Sequence, residues 1–89
     1  MRILIILLFF SSSILAQDAN SLFEQASLSY EQKEYAQAII HYNEIQDLGL
    51  YSSDLYYNIG NCYYKLQQNA EAVLYYEKAL KLNPSDEDA

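Results

Sequence analysis

DLYYNIGNCYYKLQQNAEAVLYYEKALKLNP, residues 54–84, is the stretch of this 89-residue chain that decides its fold. Its apolar side chains recur at i, i+3, i+4 and i+7, the spacing of an amphipathic helix. The pattern predicts one helix over residues 54–66, a polar turn over residues 67–69 and a second helix over residues 70–82. The small residues that would let two helix backbones approach are Gly60, Ala72 and Ala79. The stretch therefore predicts a helical hairpin.

Two further helices are predicted upstream. Residues 18–32 begin with side chains suited to an N-cap and carry a thin apolar stripe, as expected of a terminal helix with one side facing water. Residues 35–48 carry a stronger stripe, and Gly49 follows where a positive φ would end the helix. Ser53 or Asp54 is then the expected N-cap of the next helix. The chain is therefore predicted to be all-α.

The two hairpins repeat with a period of 34 residues. Sliding the sequence by that distance superposes chemically similar residues: Tyr30 on Tyr64, Ala36 on Ala70, Ala38 on Ala72, Tyr42 on Tyr76, Leu48 on Leu82, Ala26 on Gly60 and Ile39 on Val73. A helix–turn–helix period of this length is typical of the tetratricopeptide repeat. The second copy resembles that family through Tyr56, Ile59, Gly60, Tyr63, Ala72, Tyr76, Ala79 and Pro84.

The resemblance implies two tetratricopeptide units, residues 19–52 and residues 53–86, stacked as a right-handed superhelical solenoid. The first unit departs from the family pattern at Gln25, Ser29, Ile45 and Leu50. Residues 85–89 place Ser85 before three acidic residues, which suits the start of a third A helix. Because helix 70–82 has more apolar positions than an exposed edge needs, we expect either a longer array or another chain to cover it. The alternative is that these are scattered apolar residues exposed to solvent.

Residues 1–16 have the layout of a secretory signal peptide. Arg2 precedes an apolar run, and a Ser-rich segment leads to a cleavage site after Ala16. The alternative is an uncleaved membrane anchor. However, residues 3–16 would span about 21 Å as a helix, short of the ~30 Å hydrocarbon core. We expect an exported bacterial protein, periplasmic or associated with the cell envelope, which contacts a membrane only through this segment or a region beyond Ala89.

Composition argues against several functional classes. The formal net charge is −7, and cleavage after Ala16 would remove Arg2 and leave −8. Such an acidic chain repels phosphate backbones, so a nucleic-acid partner is not expected. No catalytic constellation, metal cluster or cofactor motif is present, so the chain is not expected to be an enzyme.

Cys62 and His41 are the single members of their residue types. One cysteine excludes an intrachain disulfide and a CxxC pair. Because Cys62 lies inside an apolar helical pattern, we expect a small buried side chain, with a reactive or intermolecular thiol as the alternative. His41 lies beside an apolar stripe without a second ligand or a nucleophile at usable spacing. It is expected to pack or to be partly exposed, rather than to bind a metal.

The family resemblance also implies a binding groove along the A helices. The residues of this chain at the groove-facing family positions are Asn20, Phe23, Ser27, Tyr30 and Glu31 in the first unit and Asp54, Tyr57, Asn61, Tyr64 and Lys65 in the second. An asparagine there can hydrogen-bond an extended peptide, and tyrosines can hold apolar side chains. Asn61 could instead bond a neighbouring segment, with the tyrosines serving only to pack the fold. Lys65 is the only cation of the set, so the carboxylate clamp of chaperone-binding members is not carried over.

These features predict a non-catalytic protein-interaction scaffold that binds a peptide or a partner domain. The alternative is a structural module that self-associates through the exposed face of helix 70–82 and leaves its groove unused. Within the family, the signal peptide and the tyrosine-rich repeats are similar to the start of BatE-type proteins of the Bacteroides aerotolerance operon. That similarity implies an envelope complex with von Willebrand A-domain partners.

Overall fold

The computed structural model describes residues 19–83, which form four helices and the turns that connect them. They are α1 (residues 19–31), α2 (Tyr35–Asp47), α3 (Ser53–Lys65) and α4 (Asn69–Leu82). The described residues contain no strand, which confirms the all-α prediction. The predicted signal peptide (residues 1–16) and the predicted start of a third A helix (residues 85–89) lie outside the described residues.

Helix α3 is the centre of the packing. It packs along α4 to complete the second hairpin and along α2 to join the two hairpins. The core is formed by seven small or aliphatic side chains and one tyrosine from α1, α2 and α3, namely Ala26, Ala38, Ile39, Tyr42, Ile45, Leu55, Ile59 and Cys62. Ile59 and Cys62, both on α3, are the largest fully buried side chains. The hydrophobic effect therefore holds α3 in place from both sides.

Helix α3 begins one residue earlier than predicted. Its N-cap is Ser52, whose Oγ accepts a hydrogen bond from the backbone N–H of Leu55 at 3.0 Å. Ser53 and Asp54, the expected caps, lie in the first turn of the helix. The Ser53 hydroxyl donates to the backbone carbonyl of Ala79 at 3.0 Å and thus ties the start of α3 to the end of α4.

Helices α1, α2 and α3 end in the same hydrogen-bonded turn, in which the residue after the C-cap takes a positive φ. Gly49 has a φ of 82°, as predicted for the end of α2, but Lys33 (65°) and Gln67 (62°) adopt this conformation without being glycine. In the last of these turns, the N–H of Gln68 donates to the Tyr63 carbonyl at 2.9 Å. The turn predicted over residues 67–69 is shifted by one residue, because Asn69 already belongs to α4.

Replacing Lys33 or Gln67 with glycine is expected to raise the free energy of unfolding by about 0.5 kcal/mol each. Glycine removes the strain of a left-handed conformation, which costs an L-residue about 1–2 kcal/mol. Part of this stabilisation is lost because glycine has more conformational entropy in the unfolded chain. Urea denaturation measures the change. Gln32→Gly is the control: it lies beside Lys33 but has no positive φ, so it should destabilise.

Candidate binding groove between α1 and α3

A cleft of about 220 Å³ opens between α1 and α3. It is lined by Ser27, Tyr30, Glu31, Tyr42, Asn58 and Asn61. Four of these residues, Ser27, Tyr30, Glu31 and Asn61, belong to the predicted groove set. Asn58 was missed, although it precedes Asn61 by three positions and so shares its helix face. Tyr42 was not among the predicted groove residues either, and most of its side chain is buried in the core.

The other six predicted groove residues do not line this cleft. Asn20, Asp54 and Lys65 are exposed on the A helices, as are Tyr57 and Tyr64. Phe23 instead borders a smaller cavity of about 120 Å³ toward the α2–α3 loop, together with Ile45 and Leu55. The structure thus brings the C-terminal part of the predicted groove on α1 together with Asn61 on α3 and leaves the other six predicted residues outside the cleft.

Equivalent contacts hold the groove residues in both hairpins. In the first, the ring of Phe23 meets that of Tyr42 at 5.9 Å between centroids, and the Ser27 side chain interacts with the Tyr42 hydroxyl, which lowers the Tyr42 pKa against the larger effect of burial. In the second, 34 residues on, Tyr57 meets Tyr76 at 5.6 Å, and the Tyr76 hydroxyl donates to Asn61 Oδ1 at 2.6 Å. In the second hairpin, the α4 tyrosine Tyr76 thereby positions the polar side chain of Asn61 on α3.

The Tyr76 hydrogen bond changes what Asn61 can offer a ligand. Its Oδ1 already accepts from Tyr76, so the Nδ2 amide group is the part that remains to donate to a bound peptide. Burial is the main cause that raises the pKa of Tyr76 above its usual value, which keeps its hydroxyl protonated as a donor. Asn61 therefore serves the fold through one atom and can serve binding through another.

The second hairpin matches a known repeat. Residues 53–86 match the family model of the tetratricopeptide repeat. The chain contains a tetratricopeptide repeat. Comparison with curated proteins gave no match. Tetratricopeptide repeats are typically non-catalytic and generally mediate protein–protein interaction. Of the residues that line the cleft, Asn58 and Asn61 lie in this repeat.

The outer faces of the two hairpins differ in polarity. On α1, Ser21 and Gln25 occupy the positions of Leu55 and Ile59 in the tetratricopeptide repeat, and Gln25 Nε2 donates to Ser21 Oγ at 2.9 Å. On α4, by contrast, Val73 has 53% of its surface exposed, whereas its equivalent Ile39 has 8% because α3 covers it. The apolar face expected on helix 70–82 is thus present, and no described residue covers Val73 as α3 covers Ile39.

His41 lies at a second, larger cavity of about 500 Å³ between α1 and α2, bordered also by Gln25, Glu44 and Asp47. Its Nδ1 is 3.5 Å from Glu44 Oε1. The equivalents of His41 and Leu22 in the tetratricopeptide repeat are Tyr75 and Tyr56, whose rings lie 6.0 Å apart. Smaller side chains in the first hairpin therefore open the cavity. Among residues 19–83, no three potential metal-ligating side chains cluster.

Cys62 is fully buried, as expected for a packing residue. Burial raises the pKa of its thiol to about 11. The thiolate is the nucleophilic form of cysteine, so this thiol is unreactive at neutral pH.

No described helix is long and apolar enough to cross a bilayer.

Stability is expected to fall as the pH rises from about 9 to about 11. The Cys62 thiol ionises near pH 9 when the chain is unfolded but near 11 when it is folded. The folded state therefore binds more protons in this window, and raising the pH favours unfolding by up to about 2–3 kcal/mol. Urea denaturation at successive pH values measures the loss. In Cys62→Ala the loss should be smaller; an unchanged loss would assign it to the tyrosines.

Proposed function

We propose that this chain is a non-catalytic protein-interaction scaffold that binds an extended peptide, or an exposed segment of a partner domain, along α1 and α3. The cleft between these helices carries the proposal, because it brings Ser27, Tyr30, Glu31 and Asn61 together in a tetratricopeptide context. Clefts with a few convergent polar groups are the usual form of a binding site.

The groove offers two kinds of contact. Amide groups of Asn58 and Asn61 line the cleft and can hydrogen-bond the backbone of an extended peptide. Beyond the cleft, Tyr57 and Tyr64 expose more than half of their surface and can cover apolar side chains of the ligand. Because each tyrosine has few rotatable bonds, ordering it costs little conformational entropy.

Titration calorimetry of the purified chain with peptides selected from a displayed random library tests the proposal. Asn61→Asp keeps an acceptor for the Tyr76 hydroxyl but removes the amide donor, and Tyr57→Ala removes an exposed ring. Each variant should weaken binding about tenfold. Tyr51→Ala is the matched control, because Tyr51 is equally exposed but lies on the α2–α3 loop. Full binding by both groove variants would refute the groove assignment.

The proposed setting is the bacterial periplasm or cell envelope. It rests on the signal-peptide pattern of residues 1–16 and on the similarity to the start of BatE-type proteins, which would make the scaffold part of an aerotolerance-type envelope complex. Cell fractionation followed by N-terminal sequencing checks the setting. A mature chain that begins at Gln17 in the periplasmic or envelope fraction supports it, whereas an intact Met1 in the cytoplasm contradicts it.

A second candidate is a structural module that self-associates through α4. The exposure of Val73, compared with the burial of its equivalent Ile39, favours this function. Leu74 and Leu82 add exposed apolar surface on the same helix. Light scattering distinguishes the candidates: mass that rises with concentration and falls in Val73→Glu, without any peptide binding, supports self-association. A monomer at all concentrations excludes it.

A further inference from the structure

We propose that the cleft between α1 and α3 selects peptide segments that present a lysine or arginine side chain to Glu31. The inference rests on the proposed function, since it names the chemistry of the peptide that the groove would bind. Glu31 is the only charged residue among the six that line the cleft; the other five are serine, asparagine and tyrosine. A single uncompensated negative charge in an otherwise neutral cleft favours a cationic ligand group.

The hydrogen-bonding groups of the cleft agree with this assignment. The Asn61 oxygen already accepts a hydrogen bond from the Tyr76 hydroxyl. The Asn61 amide can therefore hold a peptide carbonyl while Glu31 accepts N–H groups from the ligand side chain. A ligand carboxylate in the same place would face Glu31 at short range, and no lysine or arginine lines the cleft to offset that repulsion.

The aromatic side chains fit a cation as well. Elsewhere in this chain, Lys78 Nζ lies 4.7 Å from the ring centroid of Tyr75 and 5.6 Å from that of Tyr56. The tyrosine faces of this fold thus already accept an ammonium group. In the cleft, Tyr30 lies one position before Glu31 on α1, so a bound lysine or arginine can meet a ring and a carboxylate together.

The second hairpin has a lysine at the repeat position of Glu31. Lys65 is the 34-residue equivalent of Glu31, and it does not line the cleft. The two hairpins therefore carry opposite charges at one repeat position, and only the negative one faces the cleft. The net charge of the chain, −7, adds a long-range attraction for basic segments.

A displayed library of random decapeptides, selected on the purified chain at low salt, tests the proposal. Selected peptides should be enriched in lysine or arginine. The most enriched peptide and a copy with its basic residue replaced by glutamine are then titrated. Glu31→Gln should weaken the basic peptide about threefold and leave the glutamine copy unchanged. Glu31→Lys, which installs the residue of the second hairpin, should weaken the basic peptide about tenfold and favour acidic peptides in a repeat selection.

Glu77→Lys is the matched control, because it makes the same change of charge on an exposed position of α4 outside the cleft. It should lower affinity for the basic peptide by less than about twofold, and the contrast with Glu31→Lys should shrink in high salt. Circular dichroism confirms that each variant is folded; Glu31→Gln is close in shape to the native residue.

The outcomes separate the inference from the function on which it rests. Binding without enrichment of basic residues, or equal effects of Glu31→Lys and Glu77→Lys, overturns the inference and leaves the scaffold function standing. The absence of any selected peptide, or binding that Asn61→Asp and Tyr57→Ala both leave intact, overturns the groove assignment and the inference together.

Discussion

Ile39→Ala is expected to lower the free energy of unfolding by about 3 kcal/mol, whereas Val73→Ala should change it by less than about 0.5 kcal/mol. The two residues occupy the same position of the 34-residue repeat, but α3 covers Ile39 and no described residue covers Val73 in the same way. Truncating a buried isoleucine removes hydrophobic transfer energy and leaves a cavity; truncating a half-exposed valine does neither to the same extent.

Urea denaturation followed by circular dichroism measures both changes. Because small domains have only about 5–15 kcal/mol of stability, the loss in Ile39→Ala is a large part of the total. Ile39→Val, expected to cost about 1 kcal/mol, controls for the size difference between isoleucine and valine. A large and concentration-dependent cost of Val73→Ala would mean that another copy covers α4 in solution, as the self-association candidate requires.

Gly60→Ala is expected to destabilise the protein by about 1–2 kcal/mol, although alanine is the better helix former by about 1 kcal/mol. A Cβ at residue 60 would lie 2.7 Å from two ring atoms of Tyr76 and 3.3 Å from the carbonyl oxygen of Ala72. The Tyr76 ring would have to move, and the hydrogen bond of its hydroxyl to Asn61 would be strained. Overpacking of this kind costs about 1–3 kcal/mol.

A double-mutant cycle identifies the ring of Tyr76 as the cause. In a Tyr76→Leu background, Gly60→Ala should be neutral or stabilising, because the ring atoms that oppose the new Cβ are gone. Thermal or urea denaturation of the four variants provides the coupling energy. If Gly60→Ala costs the same in both backgrounds, the conflict lies with the Ala72 carbonyl instead. The equivalent residue Ala26 is the internal control: Ala26→Gly should destabilise, since its methyl group is already buried.

Most of the fold was predictable because each helix is specified by residues that are close together in the sequence. Apolar residues at helical spacing placed α2, α3 and α4 within one or two residues of their observed ends, and Gly49 marked the end of α2 correctly. The errors also have local causes. Ser52, rather than Ser53 or Asp54, caps α3, and Gln67 takes a positive φ that residue type alone does not suggest.

The groove was only partly predictable, because its shape depends on contacts between helices. Family positions pointed to ten residues, but the cleft takes up four of them and adds Asn58 and Tyr42. The Tyr76–Asn61 hydrogen bond joins residues 15 positions apart on different helices, which helical periodicity cannot relate. The Asn61 oxygen thus has a role in the fold, whereas binding through the Asn61 amide stays a prediction.

The amino-acid pattern alone predicts the helices and the faces that turn inward, because both follow from the spacing of apolar residues along each helix. It also reveals the 34-residue repeat, because chemically similar residues superpose when the sequence is shifted by that distance. Tertiary packing decides the rest. It makes Ile39 a core residue and Val73 a surface residue at one repeat position, because a helix neighbours the first and not the second. Packing of α4 on α3 likewise places the Tyr76 ring against Gly60, where a Cβ would not fit. From there the Tyr76 hydroxyl reaches Asn61, so one residue of the stretch 54–84 both packs the hairpin and holds Asn61 at the cleft.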